Sequence, residues 1–429
     1  MAQTPGSPDA SCDVAVIGAG AAGLMAAIQA RRTDPSARVI AVDSARKPGA
    51  KILVAGGGRC NVTHQAVDES AFAGSTRPAI RRVLRRFDVP RTIEFFREIG
   101  VPLKAEPTGK LFPVSDSART VLEALLKAAA RAGVTLRHPC RVERVSRNGS
   151  GFVVEGPSSG PGRWGGLRAR RVILATGGRS LPKSGSDGHG YDIARGLGHS
   201  ITRRILPALV PLTLRAESPL LELSGTSATA TLELCSSTGR RLVSFTGPVL
   251  CTHFGVSGPA VLDISRYYLH ASRDDPGAIL VCNWLPDETV STLDARLRDL
   301  GRAGALSILR DRLPERLARA LCRHAGVDPV EPGARISRER RERLAGLLAR
   351  MALPVTGDRG FSVAEVTAGG IPLSELRLET MRSRPCPGLS LCGEICDVDG
   401  RIGGFNFQWA WASGYVAGVS AAGDDHDDA

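Results

Sequence analysis

The chain has 429 residues, of which 42% are hydrophobic and 23% are charged. This composition is typical of a globular protein with well-buried cores, and no apolar run approaches the ~20 residues that a bilayer-spanning helix needs. The formal net charge is +13, and only six of the 56 basic residues are lysine. Such a positive field attracts anionic ligands, including pyrophosphate cofactors and nucleic acid, but we interpret the charge as a solvated arginine-rich surface.

Residues 1–11 predict a disordered leader rather than a secretory signal, because they contain neither a basic start nor an apolar core. The ten cysteines are scattered, and no C-x-x-C pair occurs. Reduced thiols are therefore expected, which favours the cytoplasm. We expect no membrane association and no metal site.

A glycine-rich turn near the N-terminus predicts a dinucleotide site. Val14 to Ile17 predicts a buried parallel strand, and Ala21 to Arg32 predicts a helix. Between and within them, Gly18, Gly20 and Gly23 have the G-x-G-x-x-G spacing of the dinucleotide fingerprint. The first glycine permits the tight turn, the second lets the backbone approach a pyrophosphate, and the third lets helix and strand pack closely. The phosphates would lie at the helix N-terminus.

Two further loops extend this prediction. A second strand, Arg38 to Val42, ends in Asp43, twenty positions after Gly23, where a carboxylate can accept hydrogen bonds from ribose hydroxyls. Three successive glycines, 56–58, then precede Arg59 and Asn61. Glycines of this kind let a backbone lie flat against a ligand, and arginine suits phosphate or a polar ring edge.

The next segment predicts helices and a meander. Thr76 to Gly100 indicates two basic amphipathic helices, and a third helix is expected from about Ser117 to Ala132. Four short runs then predict a small antiparallel meander: Val134 to His138, Arg141 to Ser146, Phe152 to Glu155 and Leu167 to Val172. The strand that starts at Arg171 ends in Thr176, Gly177 and Gly178, at the ligand-bearing edge of the sheet.

From about Ile201 the pattern changes to short strands, and later to arginine-rich helices. Within this part, Ser257 suits the N-cap and Pro259 the first turn of a helix. His253 is interpreted as a structural histidine in preference to a substrate-facing acid or base. The arginine-rich run 335–343 is interpreted as a solvated helix face. The predicted domains are a leader (1–11), a cofactor domain (12–198 and 356–422), a β-rich insert (199–286), its helical part (287–355) and an acidic tail (423–429).

The C-terminal segment indicates which dinucleotide is bound, a nicotinamide dinucleotide or FAD. Gly393 and Glu394 end a short buried strand, and Gly403 and Gly404 open a helix full of small residues. A nicotinamide dehydrogenase rarely needs its last sixty residues to return to the first domain. An FAD protein does, because both ends of an extended cofactor must be held. The sequence therefore favours FAD.

These motifs resemble the FAD-dependent oxidoreductase family that includes BaiN-type bile-acid reductases and proteins labelled aminoacetone oxidase. The resemblance covers roughly Cys12 to Val419. It rests on Lys51 and on the segments 16–23, 56–61, 109–113, 175–178, 252–259, 393–394, 397–399 and 403–415. The implied fold is α/β, with a Rossmann-like FAD domain of the glutathione-reductase type interrupted by a β-barrel-like insert domain with a helical subdomain. The loop after Ser184 departs from the expected pattern.

The resemblance implies that the fingerprint glycines hold the pyrophosphate, Asp43 the adenosine ribose, and the helix near Asn406 the flavin ring. The dipole of that helix would stabilise negative charge on the reduced flavin. The complete set of predicted cofactor residues is Gly18, Gly20, Ala22, Gly23, Asp43, Lys51, Gly57, Gly58, Arg59, Cys60, Asn61, Val142, Ala175, Thr176, Gly177, Gly178, Gly393, Glu394, Asp397, Gly404, Phe405 and Asn406. The sequence identifies no catalytic acid or base.

The leading hypothesis is an enzyme that transfers hydride through non-covalently bound FAD to or from a small organic substrate. The substrate would bind where the insert faces the flavin. NAD(P)H is a candidate transient donor, although no second fingerprint is present, and the spacing of Cys392 and Cys396 disfavours a catalytic dithiol. We expect no nucleic-acid partner. Two alternatives stay open: a flavin-dependent tRNA-modifying enzyme, and a flavin-binding sensor or interaction protein without turnover. The sequence does not specify the oligomeric state.

Overall fold

The computed structural model describes residues 10–157 and 164–423. They fall in two units, one within Met1–Ile205 and Glu365–Ala429, the other Leu206–Ala364. The predicted leader lies outside the described residues except for its last two positions, and the predicted acidic tail does so from residue 424 onward. The finer divisions at 198/199, 286/287, 355/356 and 422/423 stay predictions.

The first segment of the chain alternates strands and helices. Its helices are α1 (Ala21–Thr33), α2 (Ala50–Val54), α3 (Arg77–Leu84), α4 (Val89–Glu98), α5 (Ala118–Ala132) and α6 (His189–Gly196). Its strands are β1 (Ser11–Ile17), β2 (Val39–Val42), β3 (Thr63–His64), β4 (Phe72–Gly74), β5 (Leu103–Ala105), β6 (Lys110–Pro113), β7 (Thr135–Arg137), β8 (Arg144–Asn148), β9 (Gly151–Glu155) and β10 (Leu167–Leu174).

The insert and the final segment follow. The insert contains β11 (Leu206–Ala208), β12 (Leu212–Leu214), β13 (Ser227–Cys235), β14 (Arg241–Thr252), β15 (Gly255–Ser257), α7 (Pro259–Asp274), β16 (Ile279–Asn283), α8 (Val290–Arg298), α9 (Leu306–Leu309), α10 (Glu315–His324), α11 (Arg338–Ala349), β17 (Met351–Leu353) and β18 (Val355–Asp358). The final segment contains β19 (Val366–Ala368), β20 (Leu376–Arg377), β21 (Arg382–Ser383), β22 (Leu389–Leu391), β23 (Val398–Gly400) and α12 (Phe405–Ala422).

The main sheet of the first unit has the strand order β20-β21-β22-β10-β1-β2-β7, with β8 and β9 attached beside β10. Its centre is parallel: Ile17 at the end of β1 pairs with Leu174 on one side and with Val42 on the other. The loops that follow these three residues therefore leave the sheet at the same edge. This confirms the predicted Rossmann-type sheet and places Gly18, Asp43 and Ala175 at one edge.

One strand differs from the prediction. The run Val134 to His138 was expected in the antiparallel meander, but Thr135–Arg137 pairs in parallel with β2, with Ile40 opposite Thr135. Only β8, β9 and the start of β10 form the meander. The strand follows the long helix α5, which makes a crossover back to the parallel sheet possible. Alternation over three residues carries no information on which strand will be the partner.

The C-terminal helix α12 packs against the first helix α1 through glycines. A Cβ atom at Gly414 would lie 2.5 Å from the Ala22 carbonyl oxygen, and one at Gly418 would lie 2.3 Å from that of Ala26. Real Cβ atoms do not approach so closely, so these positions require glycine for the helices to touch. The end of the chain thus returns to its beginning, as the sequence predicted.

The insert has its own sheet and core. Seven antiparallel strands lie in the order β17-β16-β13-β14-β15-β12-β18. Helices α8 to α11 add leucines to the same core, which also buries Trp284. Helix α7 has Pro259 in its first turn as predicted, but its N-cap is Gly258, because Ser257 belongs to β15. Over the described parts of the chain, we find no helix with the length and apolarity needed to cross a membrane.

Candidate functional site

The fingerprint turn has the geometry that its glycines predict. Gly18 has φ +98°, and a Cβ there would lie 2.4 Å from the Ala175 carbonyl oxygen. A Cβ at Gly23 would lie 1.8 Å from the Gly18 carbonyl oxygen, so strand and helix meet only because both residues are glycines. A Cβ at Gly20, by contrast, would have no atom within 4 Å. Gly20 is also the N-cap of α1, where no side chain caps the helix. The N-terminus of α1 can therefore receive an anion at Gly20.

Asp43 closes this turn from the neighbouring strand. Its Oδ2 accepts a hydrogen bond from the Ala19 N–H at 2.6 Å, and its Oδ1 accepts one from the Ala45 N–H at 2.7 Å. Burial raises the pKa of Asp43 above its ordinary value, while the two N–H donors act in the opposite direction. The carboxylate thus holds the fingerprint loop in place. The buried Val142 lies two residues after Cys140, whose N–H donates to the Asp43 carbonyl oxygen at 2.7 Å.

Beyond the end of β10, buried hydroxyls collect beside the fingerprint. Within the described residues, Thr176 Oγ1, Ser186 Oγ and Tyr191 OH are buried without a hydrogen-bond partner, and so is Asn61 Oδ1. A Cβ at Gly177 would lie 2.6 Å from Ser186 Oγ. Burial, followed by the negative charge of Glu394, raises the pKa of Tyr191. Buried polar atoms are nearly always hydrogen-bonded, so the three hydroxyls indicate the place of a polar ligand. Asn61 Oδ1 is a fourth such atom, in the glycine-rich loop.

Sequence reasoning named Thr176 and Asn61 but missed Ser186 and Tyr191. The signal was present in the loop after Ser184, where serine, aspartate and three glycines precede Tyr191. A Cβ at Gly190 would lie 1.8 Å from Thr176 Oγ1, so this glycine brings α6 against the end of β10. That approach places Tyr191 in the site.

Gly393 and Glu394 tie the end of the chain to the second loop. Glu394 Oε2 accepts a hydrogen bond from Lys51 Nζ in an ion pair, and Glu394 Oε1 accepts one from the Thr367 N–H at 3.0 Å. The Gly393 N–H donates to Ser413 Oγ at 3.0 Å, and its carbonyl oxygen accepts from Trp409 Nε1 at the same distance. Two residues of helix α12 therefore hold the backbone of Gly393 through hydrogen bonds.

The start of α12 lies against β3. A Cβ at Gly404 would lie 2.6 Å from the Thr63 carbonyl group, and the Phe405 ring stacks on His64 with centroids 5.0 Å apart. The Asn406 side chain bonds to Gly400 through both of its polar atoms, at 2.8 and 2.9 Å. Asn406 thus shapes the turn before α12. Asp397 takes part in the same region, since its carbonyl oxygen accepts from the Ser75 N–H at 2.8 Å.

The three successive glycines of the glycine-rich loop all have left-handed backbone conformations. Gly56, Gly57 and Gly58 have φ of 58°, 68° and 84°, and a Cβ at Gly57 would meet no atom within 4 Å. The Arg59 guanidinium lies 4.0 Å from the centroid of the Phe112 ring and donates to Glu106 at 2.6 Å. The side chain of Arg59 is therefore engaged by protein groups. The open backbone of the loop is what a ligand can reach.

The cysteines near the site have no thiolate character. Burial raises the pKa of Cys60 and of Cys392 to about 12, and that of Cys396 well above its ordinary value. The thiolate is the reactive form, so these thiols are inert at neutral pH. All ten cysteines are free. Among the described residues, no group of three or more His, Cys, Asp or Glu side chains is arranged to hold a metal ion.

His253 is exposed in the turn between β14 and β15. Its ring contacts Phe254 edge-on, with centroids 5.1 Å apart, and the Arg359 guanidinium lies 4.3 Å from the centroid of the same Phe254 ring. A histidine in a short turn can be buried or exposed, and its neighbours in the sequence do not determine which of the two occurs.

Comparison with known proteins places this architecture in a family. The model of the HI0933-like protein Rossmann domain matches residues 12–420. The 3-dehydro-bile acid delta(4,6)-reductase of Clostridium scindens is 34% identical over 414 residues, which cover 95% of this chain and 98% of that protein. The ribosomal RNA dihydrouridine synthase of Escherichia coli is 33% identical over 412 residues, covering 94% and 96%. Its namesake in Haemophilus influenzae is 32% identical over 414 residues, covering 94% and 97%. The chain therefore belongs to the HI0933-like family with its BaiN-type members, and is an FAD-dependent oxidoreductase.

Proposed function

We propose that this enzyme reduces a carbon–carbon double bond conjugated to a carbonyl group in a small organic substrate. The names of its relatives support this class of reaction. A delta(4,6)-reductase saturates ring double bonds of a dehydro-bile acid, and dihydrouridine is uridine with two hydrogen atoms added across a ring double bond. Bound FAD supplies the hydride in such a reaction. We also propose NAD(P)H as the transient donor that reduces the enzyme.

The observation that supports cofactor binding at this site is the group of buried hydroxyls without partners beside the open turn at Gly20. We propose that the N-terminus of α1 binds the cofactor pyrophosphate at Gly18, Gly20 and Gly23. Thr176, Ser186 and Tyr191 would donate hydrogen bonds to polar atoms of the same cofactor. In this proposal Asp43 receives the ribose at the adjoining strand end.

The remaining predicted residues would border the cofactor from the other side. We place the left-handed loop of Gly57 and Gly58 on this side, together with Asn61 and Gly393, because glycines bring backbone rather than bulky side chains to a ligand. The first N–H groups of α12, at Gly404 and Phe405, would stabilise negative charge on the reduced flavin. The ion pair of Lys51 and Glu394 connects the segment before the glycine-rich loop to the segment that contains Gly393.

The proposal is tested by anaerobic stopped-flow reduction with NADH and NADPH, followed by an acceptor screen. We expect the bound flavin to bleach with one of the two donors. It should then be reoxidised by conjugated enones, such as a 4-en-3-one steroid, but not by the saturated ketone. Failure of every donor and every enone to turn over the flavin would overturn the proposal and favour a sensor without turnover.

A second candidate function, reduction of uridine in ribosomal RNA, rests on a different observation. Two of the relatives are ribosomal RNA dihydrouridine synthases, and the formal net charge of this chain is +13. Basic proteins bind RNA in a salt-dependent manner. Incubation with ribosomal RNA and NAD(P)H, followed by mass spectrometry of nucleosides, tests it. Dihydrouridine that forms only with the FAD-loaded enzyme would favour this substrate over a steroid-like enone.

We propose a cytoplasmic location, as the free thiols favour. Ten cysteines without a disulfide are the usual state in a reducing compartment. Cell fractionation with an activity assay tests this. Recovery with an extracytoplasmic marker would contradict it.

A further inference from the structure

Lys110 lies beside the start of helix α12. Strands β3 and β6 pair with His64 opposite Lys110, so the two side chains share one face of their sheet. A Cβ atom built on Gly403 would lie 3.6 Å from Lys110 Cε and 3.7 Å from His64 Cδ2. Gly403 comes directly before Gly404, which is the N-cap of α12. The aliphatic end of Lys110 therefore reaches the chain where this helix begins.

The two glycines keep this approach open. Gly403 has φ 125° and Gly404 has φ 93°, and residues with a side chain rarely adopt either conformation. A Cβ at Gly404 would in addition lie 2.6 Å from the Thr63 carbonyl group. Lys110 thus packs against backbone, and its ammonium group lies one bond beyond the Cε atom near Gly403.

The charge of Lys110 is not engaged by a carboxylate. The lysine on the neighbouring strand β5, Lys104, forms an ion pair with Asp116. Lys110 is half-buried, and in the part of the chain that the structure describes, no ion pair and no hydrogen bond engages its ammonium group. The charge of Lys110 is therefore available to a ligand.

The start of α12 favours the same kind of ligand. The helix has 18 residues, its N-cap glycine provides no side-chain cap, and its first turn contains no acidic residue. The side chain of Asn406 bonds to Gly400 and so does not cap the helix either. Negative side chains are usual near a helix N-terminus, and a lysine there is the reverse arrangement. The helix start and Lys110 therefore both stabilise negative charge placed beside them.

A buried acceptor in the same region points to a ligand. Asn61 is 8% exposed, and its Oδ1 atom has no hydrogen-bond partner among the described residues. Asn61 comes two residues before Thr63, which lies against Gly404, so the Cα atoms of Asn61 and Thr63 are at most about 7 Å apart. The pyrimidine edge of a flavin offers an N–H donor for such an acceptor, and the same edge takes up negative charge on reduction.

We propose that Lys110 sets the reduction potential of the bound flavin. This role rests on the proposed function, in which the flavin ring lies at the start of α12. Hydride from NAD(P)H brings two electrons and one proton, so the flavin ring gains one negative charge while the donor becomes NAD(P)⁺. The ammonium group of Lys110 stabilises that charge and thereby raises the potential. Lys110 exchanges no proton and acts through its charge alone.

The midpoint potential of the FAD-loaded full chain tests this role. Lys110→Met removes the charge but keeps an aliphatic side chain against Gly403. We expect it to shift the equilibrium between oxidised and reduced flavin about tenfold towards the oxidised form, which is about 30 mV for a two-electron couple. Lys110→Gln should show the same decrease, and Lys110→Arg should retain the native potential. The matched control Lys127→Met removes an exposed lysine of α5 and should leave the potential unchanged.

Anaerobic titration with dithionite and a redox dye measures the potential without any substrate. A native potential in Lys110→Met and Lys110→Gln would overturn the role of Lys110, and so would an equal decrease in Lys110→Arg or in the Lys127→Met control. Turnover of enones by the native chain tests the proposed function separately. A decrease confined to the uncharged Lys110 variants supports the role even where no enone is reduced, whereas an unchanged potential in a chain that reduces enones removes only the role of Lys110.

Discussion

Lys51 and Glu394 lie 343 positions apart in the chain and form an ion pair beside the candidate cofactor site. The side chains are 26% and 18% exposed, so water screens the pair only in part. Glu394 also receives the Thr367 N–H, which leaves one carboxylate oxygen for each partner. The pair therefore links the segment after the second strand to the returning end of the chain.

Removing the charge of Glu394 tests this link. Glu394→Gln keeps an acceptor for Thr367 but leaves Lys51 without its counter-charge, so we expect the free energy of unfolding to fall by about 1–3 kcal/mol. Urea denaturation measures the change. In a double-mutant cycle with Lys51→Met, the coupling energy should account for most of the loss. Strictly additive effects would show that the pair contributes nothing.

The close contact of α1 and α12 predicts a large effect from a single methyl group. Gly418→Ala places a Cβ 2.3 Å from the Ala26 carbonyl oxygen, and we expect a loss of about 3 kcal/mol, because neither helix can move without disturbing the sheet. Gly346→Ala in α11 is the control, since a Cβ there meets no atom within 4 Å. The control should stabilise by about 0.5–1 kcal/mol through helix propensity. Equal effects of the two changes would contradict the packing.

The buried hydroxyl of Tyr191 should affect the apoprotein and the FAD-loaded protein in opposite ways. Tyr191→Phe removes a hydroxyl that has no partner among the described residues, so the apoprotein should keep or gain stability. FAD affinity should fall about tenfold if the hydroxyl donates to the cofactor. Thermal denaturation of the apoprotein and quenching of flavin fluorescence measure the two quantities. Unchanged FAD affinity would remove Tyr191 from the proposed site.

A buried network in the first unit predicts a pH dependence. Glu375 accepts a hydrogen bond from Ser200 Oγ, its Oε2 lies 2.7 Å from His199 Nδ1, and His199 Nε2 lies 2.8 Å from Ser383 Oγ. Burial acts to raise the pKa of Glu375, but the hydrogen bonds from Ser200 and His199 outweigh it, and the pKa lies below the ordinary 4.5. The stabilisation is therefore complete above pH 4.5 and is lost as the pH falls through the lowered pKa.

The variant Glu375→Gln tests the predicted direction of this change in stability with pH. The variant should be less stable than the native protein at neutral pH, by about 2 kcal/mol, and the difference should shrink below pH 4.5. Free energies of unfolding measured between pH 7 and pH 3 provide the comparison. A difference that stays constant or grows on acidification would be inconsistent with a lowered pKa.

The sequence predicted most of what depends on local pattern. The turn at Gly18, the parallel strand at Arg171 and the return of the chain at Gly404 follow from glycine spacing and apolar runs, because those features are contiguous. The sheet position of Thr135–Arg137 could not be predicted, since three residues do not specify a partner.

The site was predictable at its backbone and less so at its side chains. Glycine spacing in the sequence indicates where a backbone can approach a ligand, and this is a local pattern. Ser186 and Tyr191 enter the site only because Gly190 lets α6 approach Thr176, a contact between segments that no local pattern encodes. The role of Asn406 could not be predicted from local pattern either, because its side chain forms hydrogen bonds with Gly400.

The most direct test of the central claim is the flavin content of the purified chain after reconstitution with FAD. Because we propose that both ends of the chain contribute to one cofactor site, we predict one FAD per polypeptide, released intact on unfolding. Folded protein that stays colourless and takes up no flavin would contradict the account.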